Sequence, residues 1–246
     1  EMRRIAGVLA ERGARPLAAA PLRAAIAADN RRRAALARLD ALRRRQPWRL
    51  PASEAYLASR AGAVLPAAEH AQLLEDLLAA VAERPAPVHD NVRVVVRGAF
   101  CEQPPFALIR TLETAGCYIV DDDFQLGLRM IEGPVEVGED EDPLEALVRA
   151  YLEQGAATAS RFLERGEKGA DLVERVRAAE ADGVIFAAAS FCDPALLDQP
   201  MLEAALERAG IPYTSFKFAE NTGQFQVIRE QAGTFSDAVK LWGDSP

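Results

Sequence analysis

The sequence predicts an α/β fold: a four-stranded parallel sheet flanked by helices and preceded by a helical region. Short β-branched runs recur after residue 88, helical patterns separate them, and the 87 residues before them read as helices. Short apolar strands joined through helices form parallel βαβ units, whose sheet is buried on both faces. The layout expected is therefore a helical region over 1–87, packing on or linking to an α/β domain over 88–246.

In the helical region, Pro21 suits a first helical turn, where its missing N–H costs nothing. Leu22 to Arg45 is rich in Ala, Leu and Arg, all strong helix formers, and Ile26, Leu36, Leu39 and Leu42 line one face. Gln46-Pro47-Trp48 ends that helix. A short helix begins at Ser53, and Pro66 opens another with Leu73, Leu74, Leu77 and Val81 as its apolar stripe. Arg84-Pro85-Ala86-Pro87 is a linker. Strand patterns then fall at Val92–Val96, Cys117–Val120, Gly183–Phe186 and Tyr213–Phe218. Helical patterns lie at 105–115, 143–165, 169–181 and 196–209, and a closing helix runs from about Gln224 to Trp242. This is a flavodoxin-like or Rossmann-like layer.

Composition narrows the function classes. Half the residues are hydrophobic, enough for a core, and no apolar run approaches the roughly 18 residues of a membrane span. The chain opens on Glu1 and shows no signal peptide, which reads as a cytoplasmic protein and as a fragment lacking an N-terminal part. Charge is uneven: 15 basic against 9 acidic side chains up to Arg84, then 14 against 28. The runs Arg31-Arg32-Arg33 and Arg43-Arg44-Arg45 lack interleaved aromatics in an acidic protein, so they read as a solvated helix face rather than a nucleic-acid patch. Three cysteines without a secretory signal argue against a disulfide framework, and no C-x-x-C pair is present. Neither a G-x-x-x-x-G-K-[ST] loop nor a G-x-G-x-x-G fingerprint occurs, which speaks against ATP or a dinucleotide on this chain.

Ligands of open parallel sheets bind beyond the carboxyl ends of the strands. Four segments occupy that edge: Gly98–Gln103, Asp121-Asp122-Asp123, Ser190–Pro194 and Glu220–Gln224. Cys192 precedes Asp193-Pro194 at a helix start, where backbone N–H groups and the helix dipole favour a thiolate. By position it is either a metal-cluster ligand, a nucleophile or a buried inert thiol. Cys101 shares the logic at the end of the first strand, beside Glu102 and Gln103. Cys117, at the amino end of its strand, is read as core. Asp122 is the functional candidate of the acidic triplet. The bland account of that triplet is a helix cap and a pair with Arg129. Glu220, Asn221 and Gln224 flank a polar turn that could hold a phosphate or thioester oxygen, or simply cap a helix. His70 and His89 lie away from this edge.

The segments RGAFCEQPP, GCYIVDDDF, FCDPALLDQPML, GIPYTSFKFAENTGQ and IREQAGTFSDAVKLW resemble the C-terminal half of benzoyl-CoA reductase catalytic subunits and, more broadly, the D-component of 2-hydroxyglutaryl-CoA dehydratase. The helical segments NRRRAALARLDALRR and PASEAYLASRAGAVLPAAEHAQLLEDLL resemble the helices before that domain. The resemblance implies an iron–sulfur subunit that passes low-potential electrons to an aromatic acyl-CoA thioester. It implies a 4Fe-4S cluster with Cys192 as one ligand, Cys101 as a second candidate and the others outside this chain. The partners implied are a sister iron–sulfur subunit, ATP-hydrolysing activator subunits and, indirectly, ferredoxin. CEQPP and DDDF favour the reductase. The alternatives are a radical 2-hydroxyacyl-CoA dehydratase component, a lyase, or a non-catalytic CoA-binding or assembly domain.

Overall fold

The run VRVVVR at Val92–Arg97 forms strand β1, the centre from which the sheet grows in both directions. It pairs with β2 (Cys117–Asp122) on one side and β3 (Gly183–Ala189) on the other, and β4 (Tyr213–Phe218) completes the order β2-β1-β3-β4. All three pairings are parallel. This computed structural model describes residues 1–98, 103–124, 130–155, 168–219 and 225–242.

The helices follow the sequence patterns closely. They are α1 (Met2–Glu11), α2 (Ala19–Arg45), α3 (Ala52–Arg60), α4 (Ala67–Ala82), α5 (Phe106–Thr114), α6 (Pro143–Glu153), α7 (Ala170–Ala178), α8 (Asp193–Ala209) and α9 (Phe225–Trp242). Differences lie at the ends. Ala19 rather than Pro21 opens α2, so the proline sits within the first turn. The pattern at 143–165 yields α6, which stops at Glu153; residues 156–167 lie outside the described residues. α8 begins at Asp193, directly after Cys192.

Strand alternation sorts the core into two layers. Val94, Val96, Ile185 and Ala187 face one side, against Tyr56 of α3, Leu108 and Leu112 of α5, and Ile228 and Phe235 of α9. Val95, Val184 and Phe186 face the other, against Leu172 and Val176 of α7 and Leu206 of α8. Both faces are thus covered, as a parallel sheet requires. The amino-terminal helices build a separate cluster, in which Leu36 and Leu39 of α2 meet Leu74 and Val81 of α4. That cluster stands beside β2, because Arg43 and Arg44 of α2 pair with carboxylates of that strand. Among the described residues no helix is long and apolar enough to cross a membrane.

Candidate functional site at the carboxyl edge of the sheet

Strand order locates the site. The chain leaves β1 for β2 on one side, while β3 lies on the other, so the switch point of the sheet falls between the carboxyl ends of β1 and β3. Gly98 stands at the end of β1 there. Its φ is +119°, and a Cβ there would come within 3.0 Å of the Ala187 carbonyl oxygen. Glycine lets the two backbones approach without that clash. Asp123 fixes the same point: its two carboxylate oxygens accept from the Gly98 N–H at 3.1 and 2.9 Å. Arg97 lies 4.0 Å from Asp123 and 3.5 Å from Asp171.

Cys192 follows the carboxyl end of β3. It is the residue before the first turn of α8, and its carbonyl accepts from the Leu196 N–H at 3.0 Å. Its own N–H donates to Ala189 at 3.0 Å, closing a tight turn. The thiol is buried at 4% exposure, in the cluster that includes Ala189, Phe216 and Phe218. Phe191 beside it is 93% exposed. Ser190 ties this turn to the end of β4, its N–H and hydroxyl both donating to the Phe218 carbonyl at 2.9 Å. Sequence reasoning did not weigh Ser190 by itself.

Carboxylates at the end of β2 are engaged by arginines. Asp122 and Arg43 form a buried ion pair, and Asp122 also accepts from the Phe124 N–H at 2.8 Å. Asp121 pairs with Arg44 at 3.0 Å and Arg175 at 3.2 Å. Burial pushes the Asp121 carboxyl up, but Arg175 and Arg44 outweigh it and hold it below the usual carboxylate range. The arginine run 43–45 is therefore not wholly a solvated face: Arg43 is 2% exposed. The reason is helical spacing, since Leu36, Leu39 and Arg43 share one side of α2. That spacing was the signal available in the sequence. The partner suggested for the triplet, Arg129, lies outside the described residues, and no described helix directly follows Asp123.

The remaining candidates divide between exposed, undescribed and buried positions. Gln103 is exposed on the segment leading into α5. Cys101, Glu102, Glu220, Asn221 and Gln224 lie outside the described residues. Cys117 is core, at 1% exposure on the amino end of β2, and burial pushes its thiol up to about 12. It floors a cleft of about 220 Å³ between Trp48 and Tyr118, on the opposite edge from Cys192. His70 is fully buried, its Nε2 2.9 Å from the Ala58 carbonyl, and burial lowers its pKa. Among the described residues no three His, Cys, Asp or Glu side chains converge on a metal position.

An open parallel sheet covered by helices on both faces defines an α/β protein of the doubly wound class. The chain belongs to the family described as 2-hydroxyglutaryl-CoA dehydratase, D-component, whose family model matches residues 1–239. It is 49% identical over 222 residues to a benzoyl-CoA reductase subunit of Thauera aromatica, covering 90% of this chain and 57% of that protein. Against the lactoyl-CoA dehydratase beta subunit of Anaerotignum propionicum identity is 25%, covering 70% of this chain and 45% of the relative. Against the (R)-2-hydroxyglutaryl-CoA dehydratase beta subunit of Acidaminococcus fermentans it is 25%, covering 87% and 56%. The chain spans about half the length of the curated relatives it matches.

Proposed function

We propose that this chain is part of an iron–sulfur subunit of an ATP-dependent benzoyl-CoA reductase and takes part in low-potential electron transfer to an aromatic acyl-CoA thioester. The observation that carries the reading is the placement of Cys192: a buried cysteine directly before a 17-residue helix, on the switch-point edge. The thiolate is the form of cysteine that binds iron. Apolar neighbours such as Phe216 and Phe218 limit water access, a setting that tunes cluster potential. The donor set fits a single contribution to a 4Fe-4S cluster. Cys101 is the second candidate in this chain, and the other ligands come from outside it. Such a cluster supplies electrons at low potential.

The reductase reading gains from the 49% identity to a protein named as a benzoyl-CoA reductase subunit, against 25% to the dehydratase subunits. The chain's lack of a phosphate-binding loop agrees with ATP hydrolysis on activator subunits, beside a sister iron–sulfur subunit and a ferredoxin donor in the cytoplasm. Glu102, Gln103, Glu220, Asn221 and Gln224 are the substrate-side candidates. Asp122, already held by Arg43 and the Phe124 N–H, serves chiefly to build the edge. A second reading, a 2-hydroxyacyl-CoA dehydratase component, is favoured by the family description and the relatives at 25% identity.

Anaerobic iron–sulfur reconstitution of the purified protein with its neighbouring subunits tests the ligand assignment. Cys192→Ser should weaken the cluster's electron paramagnetic resonance signal and lower bound iron, while Cys117→Ser leaves both unchanged. An unaltered cluster in Cys192→Ser refutes the assignment. Assay with benzoyl-CoA and with a 2-hydroxyacyl-CoA separates reductase from dehydratase.

A further inference from the structure

We infer that Arg60 is an anion-binding residue at the carboxyl edge of the sheet, holding a phosphate or carboxylate group of the ligand that binds there. Its position follows from how α3 lies on α5. The Ser53 N–H, at the start of α3, donates to Glu113 near the end of α5 at 3.0 Å. The Tyr56 hydroxyl, one turn on, donates to the Pro104 carbonyl just before α5 at 2.9 Å. The helices are therefore antiparallel, and the last residue of α3, Arg60, arrives at the edge from which α5 departs.

The guanidinium is mounted rather than loose. Arg60 Nη1 donates to the Tyr56 hydroxyl oxygen at 3.0 Å, and its central carbon stands 5.8 Å from the Tyr56 ring centroid. Tyr56 is 4% exposed, and Phe124 meets it edge-on at 5.8 Å between ring centroids. Its single hydroxyl proton goes to Pro104, so a lone pair receives Arg60. Burial raises the Tyr56 pKa, which keeps that proton in place.

The neighbouring guanidiniums are neutralised: Arg43 by Asp122, Arg44 by Asp121, Arg97 by Asp123 and Asp171, Arg175 by Asp121 and Glu132. Arg60 has a neutral phenol as its hydrogen-bond partner and forms no ion pair among the described residues. Arg60 is exposed, and among the described residues its other N–H groups make no hydrogen bond. In a protein of net charge −8, a guanidinium held by Tyr56 at the carboxyl edge, with no ion pair among the described residues, is a site for an anionic group. Its position at the end of α3 also suits the helix dipole, but a lysine would satisfy that equally. The cation–π contact with the Tyr56 ring and the directed Nη1 bond are what arginine adds.

This inference rests on the reading above in one respect: there the ligand is a coenzyme A thioester, and its phosphates are the anions. Calorimetric titration of the purified protein with coenzyme A, pyrophosphate and pantetheine tests both. Arg60→Gln should weaken coenzyme A about tenfold, the loss of one charge-assisted hydrogen bond, and Arg60→Lys less. Pantetheine, lacking phosphate, should bind alike to all variants. Tyr56→Phe should weaken coenzyme A by a smaller factor, with thermal melts reporting on folding. Equal coenzyme A affinity in wild type and Arg60→Gln overturns the role of Arg60 and leaves the thioester reading standing. Pyrophosphate binding that Arg60→Gln abolishes, with no coenzyme A binding by the wild type, supports the anion role and overturns the thioester reading. Binding of none of the probes by the wild type overturns both.

Discussion

The two described cysteines of this chain are almost equally buried, yet they sit at opposite edges of one sheet. Cys117 begins β2, lies among apolar side chains, and has its thiol pushed up to about 12. Cys192 follows β3 and meets the start of α8, whose first turn has no side-chain cap. Burial alone therefore does not tell the two thiols apart. The direction in which the strand points does. In a parallel sheet all carboxyl ends share one edge, and helix starts gather there with their positive ends.

The same contrast extends to charge. The carboxyl edge concentrates Asp121, Asp122 and Asp123 with Arg43, Arg44, Arg97 and Arg175, whereas the amino edge holds the small cleft lined by Trp48, Tyr118 and Cys117. The largest effect expected is from Arg43→Ala, which removes the buried ion-pair partner of the Asp122 carboxylate, itself 5% exposed. It should cost about 3–5 kcal/mol in denaturant unfolding. A loss below about 1 kcal/mol would show that water reaches Asp122 and that the edge is less dry than its burial indicates.

Glycines on the two edges sharpen the comparison. Gly98→Ala forces a side chain at φ +119° against the Ala187 backbone and should cost about 1–3 kcal/mol. Gly183→Ala, at the amino end of β3, brings its Cβ to 2.7 Å from the Phe235 ring and 2.8 Å from the Pro212 carbonyl. It should destabilise by overpacking, about 1–3 kcal/mol, but leave ligand binding at the far edge unchanged. Gly98→Ala should disturb both. Parallel melts and coenzyme A titrations of the two variants check this, and equal effects on binding would erase the distinction between the edges.

Acid should separate the helical layer from the sheet edge. His70 of α4 has a folded pKa below its ordinary 6.5, so the unfolded chain takes up the proton first. Its contribution is present above pH 6.5 and is lost as pH falls from there through the folded value. Asp121 also has a depressed folded pKa, so its contribution is present above 3.8 and is lost only below it. Urea unfolding from pH 7 to 5 should show a decline that His70→Gln reduces and Asp121→Asn does not. The smallest effect concerns thiol chemistry: iodoacetamide at pH 8 should leave Cys117 unmodified in the native protein and react with it after unfolding, as mass mapping can show.

Much of this molecule was legible before its structure. Strand runs such as VRVVVR and GVIFAAA alternate with helical segments, and that alternation alone requires parallel pairing with both faces covered. The position of Cys192 was legible too, because a strand followed by Asp-Pro and a helical pattern marks the carboxyl edge. The charge pairing was not. Arg43 and Asp122 are 79 residues apart, and nothing local says which arginine of a basic run will meet which carboxylate. Nor does local pattern reveal that Tyr56 reaches Pro104 and turns Arg60 into a fixed cation. Periodicity is a property of neighbours along the chain, so the sequence determined the layers and their edges by itself. Ion pairs and mounted side chains depend on distances of a few ångströms between remote segments, and those only the packing of α2 and α3 against the sheet decided.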